Sequence, residues 1–503
     1  MRSNTVKLCM KVGALSGLFI TGLFSGVANA QNTPPAVSCA ELIGLQVQTG
    51  VVTNAVRVSQ GDSITAGNIW GGVPVDAAAD FCRVSMVLTP TSSSEINVDV
   101  WLPDAWNEKM FAYGGGGYSG GLGQSEEGMN DGLARGYVAA TSDLGHEAGA
   151  SVEWALNQPE KVVDFGHRAN HLVSVTAKQV INDYYGIPAS RAYFQGCSGG
   201  GREALMEVSR YPQDYDGVIA GAPPMHWGEL MSSQIWRGQV AFWAPNLLNK
   251  MSAINAAVMN KCDALDGVTD GVLENPQNCN FDPAVIKCGF FSNNSCLTNQ
   301  EISALRKIYA GPKLSNGEQV IPGLAVGSEG MGWAAAALTD LAGGEQYYKY
   351  MVYNNSWWSG FGFNLDTDYP NSRALVQPIV NSDDPDISAF AQNGGKLIIY
   401  HGWNDAIVPG ANSVRYYESV ANALGPNVQD NVRLFMMPGQ QHCAGSFDAV
   451  QHLENWVEQG QAPDRIVVTD EGSTSNHPAC PWPQTAHYNG SGSSTDAASY
   501  SCM

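Results

Sequence analysis

Short apolar runs alternate along much of this chain with longer stretches in which apolar residues recur at helical spacing. The runs at 110–113, 137–140, 192–195, 218–220, 396–400 and 433–437 have strand length and predict buried strands. Between two of them, residues 169–185 place Leu172, Val173, Val175, Val180, Ile181 and Tyr184 near one helical face. Gly186-Ile187-Pro188 then supplies the residues that stop a helix. Residues 202–211, 413–424 and 447–458 predict three more helices. Alternation of this kind predicts an α/β protein built on a parallel sheet.

The alternation fails between about residues 224 and 392. That stretch carries Cys262, Cys279, Cys288 and Cys296, six of the 13 tryptophans, and Asn-Gly and Asp-Gly turn signals, so it is a different kind of element from what flanks it. Strand-and-helix patterning resumes near 396. The economical layout is one α/β core, 31–223 and 393–503, interrupted by a lid over 224–392. An independent second domain would leave the same pattern.

The N-terminus has another character. Arg2, Lys7 and Lys11 precede an apolar run at 12–24, and Ala28-Asn29-Ala30 closes it, the layout of a secretory signal peptide cleaved after Ala30. An N-terminal anchor helix is the alternative, but the run is short for a membrane span. Removing these residues takes the net charge from −21 to −24 and leaves ten of 11 cysteines. An even count in an exported chain predicts a disulfide set and a secreted or periplasmic protein. With 44% apolar and 15% charged residues among 503, the chain can bury a large core and is not disordered. Its acidity argues against nucleic acid and anionic membranes as partners.

Gly196-Cys197-Ser198-Gly199-Gly200 sits between a predicted strand and a predicted helix. It fits G-x-S-x-G, the sharp turn that presents a nucleophilic serine above a sheet. A glycine-rich turn there also suits phosphate, but no Gly-Lys-Ser/Thr accompanies it. A serine nucleophile needs a base, and the base an acid to orient it, in the order Ser, Asp/Glu, His. Asp405 and His442 follow two later predicted strands in that order. His401 is the rival base; His146, His167 and His171 precede the serine. A second cluster, Gly114-Gly115-Gly116-Gly117, follows the strand at 110–113. It is either an oxyanion loop acting with Gly199 or a plain turn.

The segments Tyr193-Phe194-Gln195-Gly196-Cys197-Ser198-Gly199-Gly200-Gly201-Arg202-Glu203 and Tyr211-Pro212-Gln213-Asp214-Tyr215-Asp216-Gly217-Val218-Ile219-Ala220-Gly221-Ala222-Pro223 resemble the tannase/feruloyl esterase family, a branch of which hydrolyses mono(2-hydroxyethyl) terephthalate. So does the pairing of Cys197-Ser198 with His442-Cys443, and the likeness runs from about Cys39 to Cys502. The resemblance implies an α/β-hydrolase fold with a large inserted lid and a Ser198–Asp405–His442 triad. It also implies oxyanion donors at Gly117 and Gly199, and disulfides Cys39–Cys82, Cys197–Cys443, Cys262–Cys279, Cys288–Cys296 and Cys480–Cys502. One departure is Gly199, where many members carry Thr or Glu.

Within the lid, Asp263, Asp266 and Asp270 lie on a Gly-containing loop. Their spacing allows either convergence on a hard cation or a solvated Asp-Gly turn. The resemblance implies a structural Ca²⁺ held by those three side chains and the carbonyls of Val268 and Val272. The leading expectation is a secreted serine carboxylesterase of small aromatic, phenolic acid esters, with plant cell wall as one source of substrate and the feruloyl type as the simplest reading. Tannase and terephthalate monoester hydrolase are the alternatives within the family, and a non-catalytic calcium-dependent binding protein is the alternative outside it. Trp227, Trp236, Tyr353, Trp357 and Trp358 are candidates to wall the acyl pocket.

Overall fold

The computed structural model describes residues 33–503 apart from 65–73, 119, 148, 150, 292, 331 and 470–474, and the side chains of 124 and 334–340. The predicted signal segment lies outside the described residues. Ten strands form the main sheet: β1 Gln46–Val47, β2 Gly50–Val58, β3 Phe81–Leu88, β4 Ile96–Pro103, β5 Lys109–Tyr113, β6 Val138–Ser142, β7 Arg191–Cys197, β8 Gly217–Gly221, β9 Lys396–Gly402 and β10 Val432–Met437. Their order is β1-β2-β3-β4-β6-β5-β7-β8-β9-β10. From β6 to β10 every pairing is parallel. From β1 to the β4–β6 junction every pairing is antiparallel.

The parallel strands are buried on both faces. Leu397 and Ile399 of β9 join one apolar cluster and Ile398 the other, because successive side chains leave a strand in opposite directions. Burial on both sides demands an unbroken apolar run, and this is why these six strands were predictable. The antiparallel half was not. Polar residues break its strands: Arg83 and Ser85 of β3 both bond Asp99 of β4.

The flanking helices are α1 Ala169–Tyr185, α2 Gly199–Arg210, α5 Ala411–Leu424 and α6 Ala449–Gln459. Between β8 and β9, no described residue enters the main sheet. This segment is helical and includes α3 Trp227–Phe242 and α4 Trp333–Gln346. Leu247, Ile254, Val258, Leu297, Leu305 and Trp333 form a core of its own. Trp227, Leu230 and Ile235 of α3 pack instead into the main core. Residues Asn32–Met503 make one compact unit. No helix among the described residues is long and apolar enough to cross a membrane.

Five disulfides join Cys39–Cys82, Cys197–Cys443, Cys262–Cys279, Cys288–Cys296 and Cys480–Cys502. The first ties the N-terminal turn to β3 across a sequence separation of 43 and is buried at both ends. Closing a loop of that length stabilises by about 4 kcal/mol in the chain-entropy model. Replacing Cys39 and Cys82 by Ala should therefore lower the urea midpoint while leaving kcat unchanged well below the transition. Parallel denaturation and activity measurements on the double variant check this.

Candidate active site

The C-terminal ends of the parallel strands assemble the site. Ser198 lies between β7 and α2 with φ 60° and ψ −123°, a backbone conformation that side-chain-bearing residues avoid. Its N–H donates to the Gly221 carbonyl at the end of β8 (2.9 Å), and its own carbonyl accepts from the Arg202 N–H (3.1 Å). The turn is tight enough that a Cβ on Gly196 would lie 2.3 Å from the Gly200 backbone. Glycine is required there by contact, and the hydroxyl is raised above the sheet as the motif predicts.

His442 Nε2 lies 2.8 Å from Ser198 Oγ, and its Nδ1 lies 2.6 Å from Asp405 Oδ2. Nδ1 faces a carboxylate and so carries the ring proton, leaving Nε2 to accept from the serine hydroxyl. The two loops that bring Asp405 and His442 are joined by backbone bonds: Trp403 N–H to the Met437 carbonyl (3.0 Å) and Asn404 N–H to that of Gln440 (2.9 Å). Asp405 is fully buried, which alone would push its carboxyl up. The His442 ring and hydrogen bonds from His401 and His442 outweigh burial and hold it well below the usual carboxylate range. Cys197 and Cys443, the neighbours of Ser198 and His442, are disulfide-bonded with Cα atoms 6.0 Å apart.

The glycine loop after β5 packs on the start of α2. A Cβ on Gly199 would meet the Gly117 N and O atoms at 2.8 Å. Gly200 N–H donates to the Gly115 carbonyl (2.8 Å), and buried Glu203 accepts from Gly115 N–H (3.3 Å) and the Asn170 amide (2.9 Å). Gly117 and Gly199 are therefore neighbours beside Ser198, an arrangement able to offer two backbone N–H groups to one oxyanion. Glu203 was not singled out from sequence; its place one turn into the elbow helix was the available signal.

The other histidines have structural partners. His146 stacks on Trp154 and binds the Tyr118 carbonyl (2.8 Å), and burial lowers its pKa to about 4. His167 bonds the Tyr211 hydroxyl (2.7 Å), and His171 bonds Asp214 (2.7 Å). His401 does not meet Ser198; it bonds Asp405. Of the lid aromatics, Trp227 packs edge-on against Tyr118, the residue after Gly117, with ring centroids 5.0 Å apart. Trp358 stacks on Tyr348, and Trp357 stands 92% exposed, against its expected place in a pocket wall.

The acidic loop is arranged as hydrogen-bonded turns. Asp263 Oδ1 accepts from the N–H groups of Asp270 (3.3 Å) and Gly271 (3.0 Å), Asp266 Oδ1 from Val268 (3.1 Å), and Asp270 Oδ1 from Val272 (3.2 Å). Tyr500 donates to Asp270 Oδ2 (3.0 Å). Among the described residues no three His, Cys, Asp or Glu side chains are gathered so as to hold a metal ion. The donors are all hard oxygens, the chemistry calcium takes.

Comparison with known proteins agrees with this architecture. Residues 82–503 match the family described as tannase and feruloyl esterase. An uncharacterized esterase of Xanthomonas campestris pv. campestris is 31% identical, covering 100% of this chain and 96% of its own. Feruloyl esterase B of Aspergillus niger is 29% identical over 98% of this chain and 100% of its own. The crystal structure of feruloyl esterase B from Aspergillus oryzae superposes with a TM-score of 0.85 at 25% identity, covering 93% of this chain and 100% of that one.

The contact between Gly199 and Gly117 gives a direct expectation. Gly199→Ala puts a methyl where the glycine loop lies, so one N–H of the pair able to face an oxyanion must move away. Losing such a donor costs on the order of 10²–10³ in kcat. Steady-state kinetics on the folded variant should show that fall with little change in KM.

Proposed function

This chain belongs to the tannase and feruloyl esterase family, and on that premise we propose that it cleaves esters of aromatic, phenolic acids in the manner of a feruloyl esterase. It is a carboxylic ester hydrolase. The observation that carries the mechanism is the continuous hydrogen-bonded line Ser198–His442–Asp405 at the sheet's C-terminal edge. Ser198 Oγ attacks the ester carbonyl as His442 Nε2 takes its proton, and the buried Asp405 charge stabilises the imidazolium that forms. Gly117 and Gly199 N–H groups receive the oxyanion. Collapse expels the alcohol, which takes its proton from His442 and leaves an acyl-serine. A water deprotonated by His442 then attacks, and the acid departs as Ser198 regains its proton. The 224–392 segment serves as the lid over this edge.

Export accompanies this reading. Five disulfides belong to an oxidising compartment, and the basic-then-apolar start supplies the address. A structural calcium ion at the acidic loop is the remaining part. Its support is the donor chemistry of Asp263, Asp266 and Asp270, with carbonyls of Val268 and Val272, in a segment closed by Cys262–Cys279. An ion there would offset crowded negative charge and brace the lid.

Ser198→Ala should lower kcat by more than roughly a thousandfold with an unchanged circular dichroism spectrum. Methyl ferulate should be cleaved faster than methyl gallate or a terephthalate monoester; a preference for gallate would replace the feruloyl reading by the tannase one.

Prolonged chelation should lower the Tm, because an ion bound only by the folded chain stabilises it. Ca²⁺ should restore the Tm better than Mg²⁺, which is smaller and keeps its waters. An unchanged Tm, with metal analysis finding no calcium, would remove the ion from the proposal.

A further inference from the structure

His401 is fully buried near the end of β9, and the mechanism above gives it no task. Its Nε2 lies 3.0 Å from Asp405 Oδ2 and 3.0 Å from the Val408 carbonyl oxygen. Both are acceptors, so this nitrogen carries the proton. Nδ1 lies 2.7 Å from Ser413 Oγ on α5, whose hydroxyl can donate to it. Both ring nitrogens are thus engaged.

The consequence falls on Asp405. Its Oδ1 accepts from the N–H groups of Ile407 (2.8 Å) and Val408 (2.9 Å). Its Oδ2 accepts from His442 Nδ1 (2.6 Å) and His401 Nε2 (3.0 Å). Without His401, the second oxygen would be held by His442 alone, the ring it has to orient. With His401, both oxygens have anchors that do not move with the base. We infer that His401 is a positioning residue for the acid–base pair, fixing the Asp405 oxygen that steers His442. This rests on the triad reading given above.

A carboxylate that loses a donor keeps more of its charge for its remaining partner, here the His442 imidazolium, which is then harder to deprotonate. Removing His401 should therefore loosen the base and raise the pH at which it becomes available. Arg237 of α3 also lies against this loop, donating to the carbonyls of Ala406 (3.3 Å) and Ile407 (3.2 Å), and is left in place.

The test compares His401→Phe, His401→Gln and Ser413→Ala on the full chain with an aryl ester. His401→Phe should lower kcat about tenfold to a hundredfold, the scale of a small misplacement of reacting groups, with KM nearly unchanged. The acidic limb of its kcat/KM profile should move to higher pH. His401→Gln, whose amide N–H can reach the same acceptors, should recover both. An unmoved limb in folded His401→Phe, or a Gln variant no better than Phe, would reduce His401 to packing. Should His401→Phe fail to fold, Ser413→Ala decides: the limb should shift in the same direction, and an unmoved limb overturns the inference. Ser198→Ala run alongside separates the two failures. An active Ser198→Ala rejects the triad itself, whereas an inactive one with an unmoved His401 series rejects only the positioning role.

Discussion

Ser198 has to hold φ 60° with a side chain attached, which costs on the order of 1–3 kcal/mol and survives only where the surroundings over-determine it. They do so here from three directions. Gly221 at the end of β8 accepts its N–H, Arg202 in the first turn of α2 donates to its carbonyl, and Gly196 and Gly200 touch across the turn. The strain keeps the hydroxyl raised toward the base. It also ties the reactive geometry to the parallel sheet, because the register Gly221↔Cys197 and Gly221↔Tyr400 sets where β7, β8 and β9 end.

The disulfide carries this constraint to the base. Cys443 also has a positive φ, 55°, and is bonded to Cys197 across a sequence separation of 246. Nucleophile and base thus each adjoin one half of a single covalent bridge, which limits how far their loops can part. Backbone bonds between the Asp405 and His442 loops perform the same task for acid and base.

Burial of Asp405 works in the same direction because its four acceptor positions are filled. A buried carboxyl without donors would protonate; this one is held below its ordinary range. A depressed carboxyl contributes stability above the unfolded value of about 4 and loses it only as pH falls toward the folded one. The group that orients His442 is thus charged wherever an imidazole can act as a base.

The parallel strands, their helices and the order Ser198, Asp405, His442 were legible because double-sided burial and catalytic turn chemistry leave local signatures. The antiparallel strands were not, since Arg83, Ser85 and Asp99 satisfy one another across strands and break the apolar runs. Three carboxylates at short spacing left a cation loop and an Asp-Gly turn both open, and in the folded loop each carboxylate accepts from backbone N–H groups nearby. His401 and His442 both come after apolar runs predicted as strands, so residue type and order left two possible bases. Sequence by itself determined which chemistry this chain could carry. Only the tertiary structure decided which histidine reaches Ser198 and which one holds Asp405, because contacts between residues 244 apart in the chain depend on strand register and loop packing, which no local period encodes.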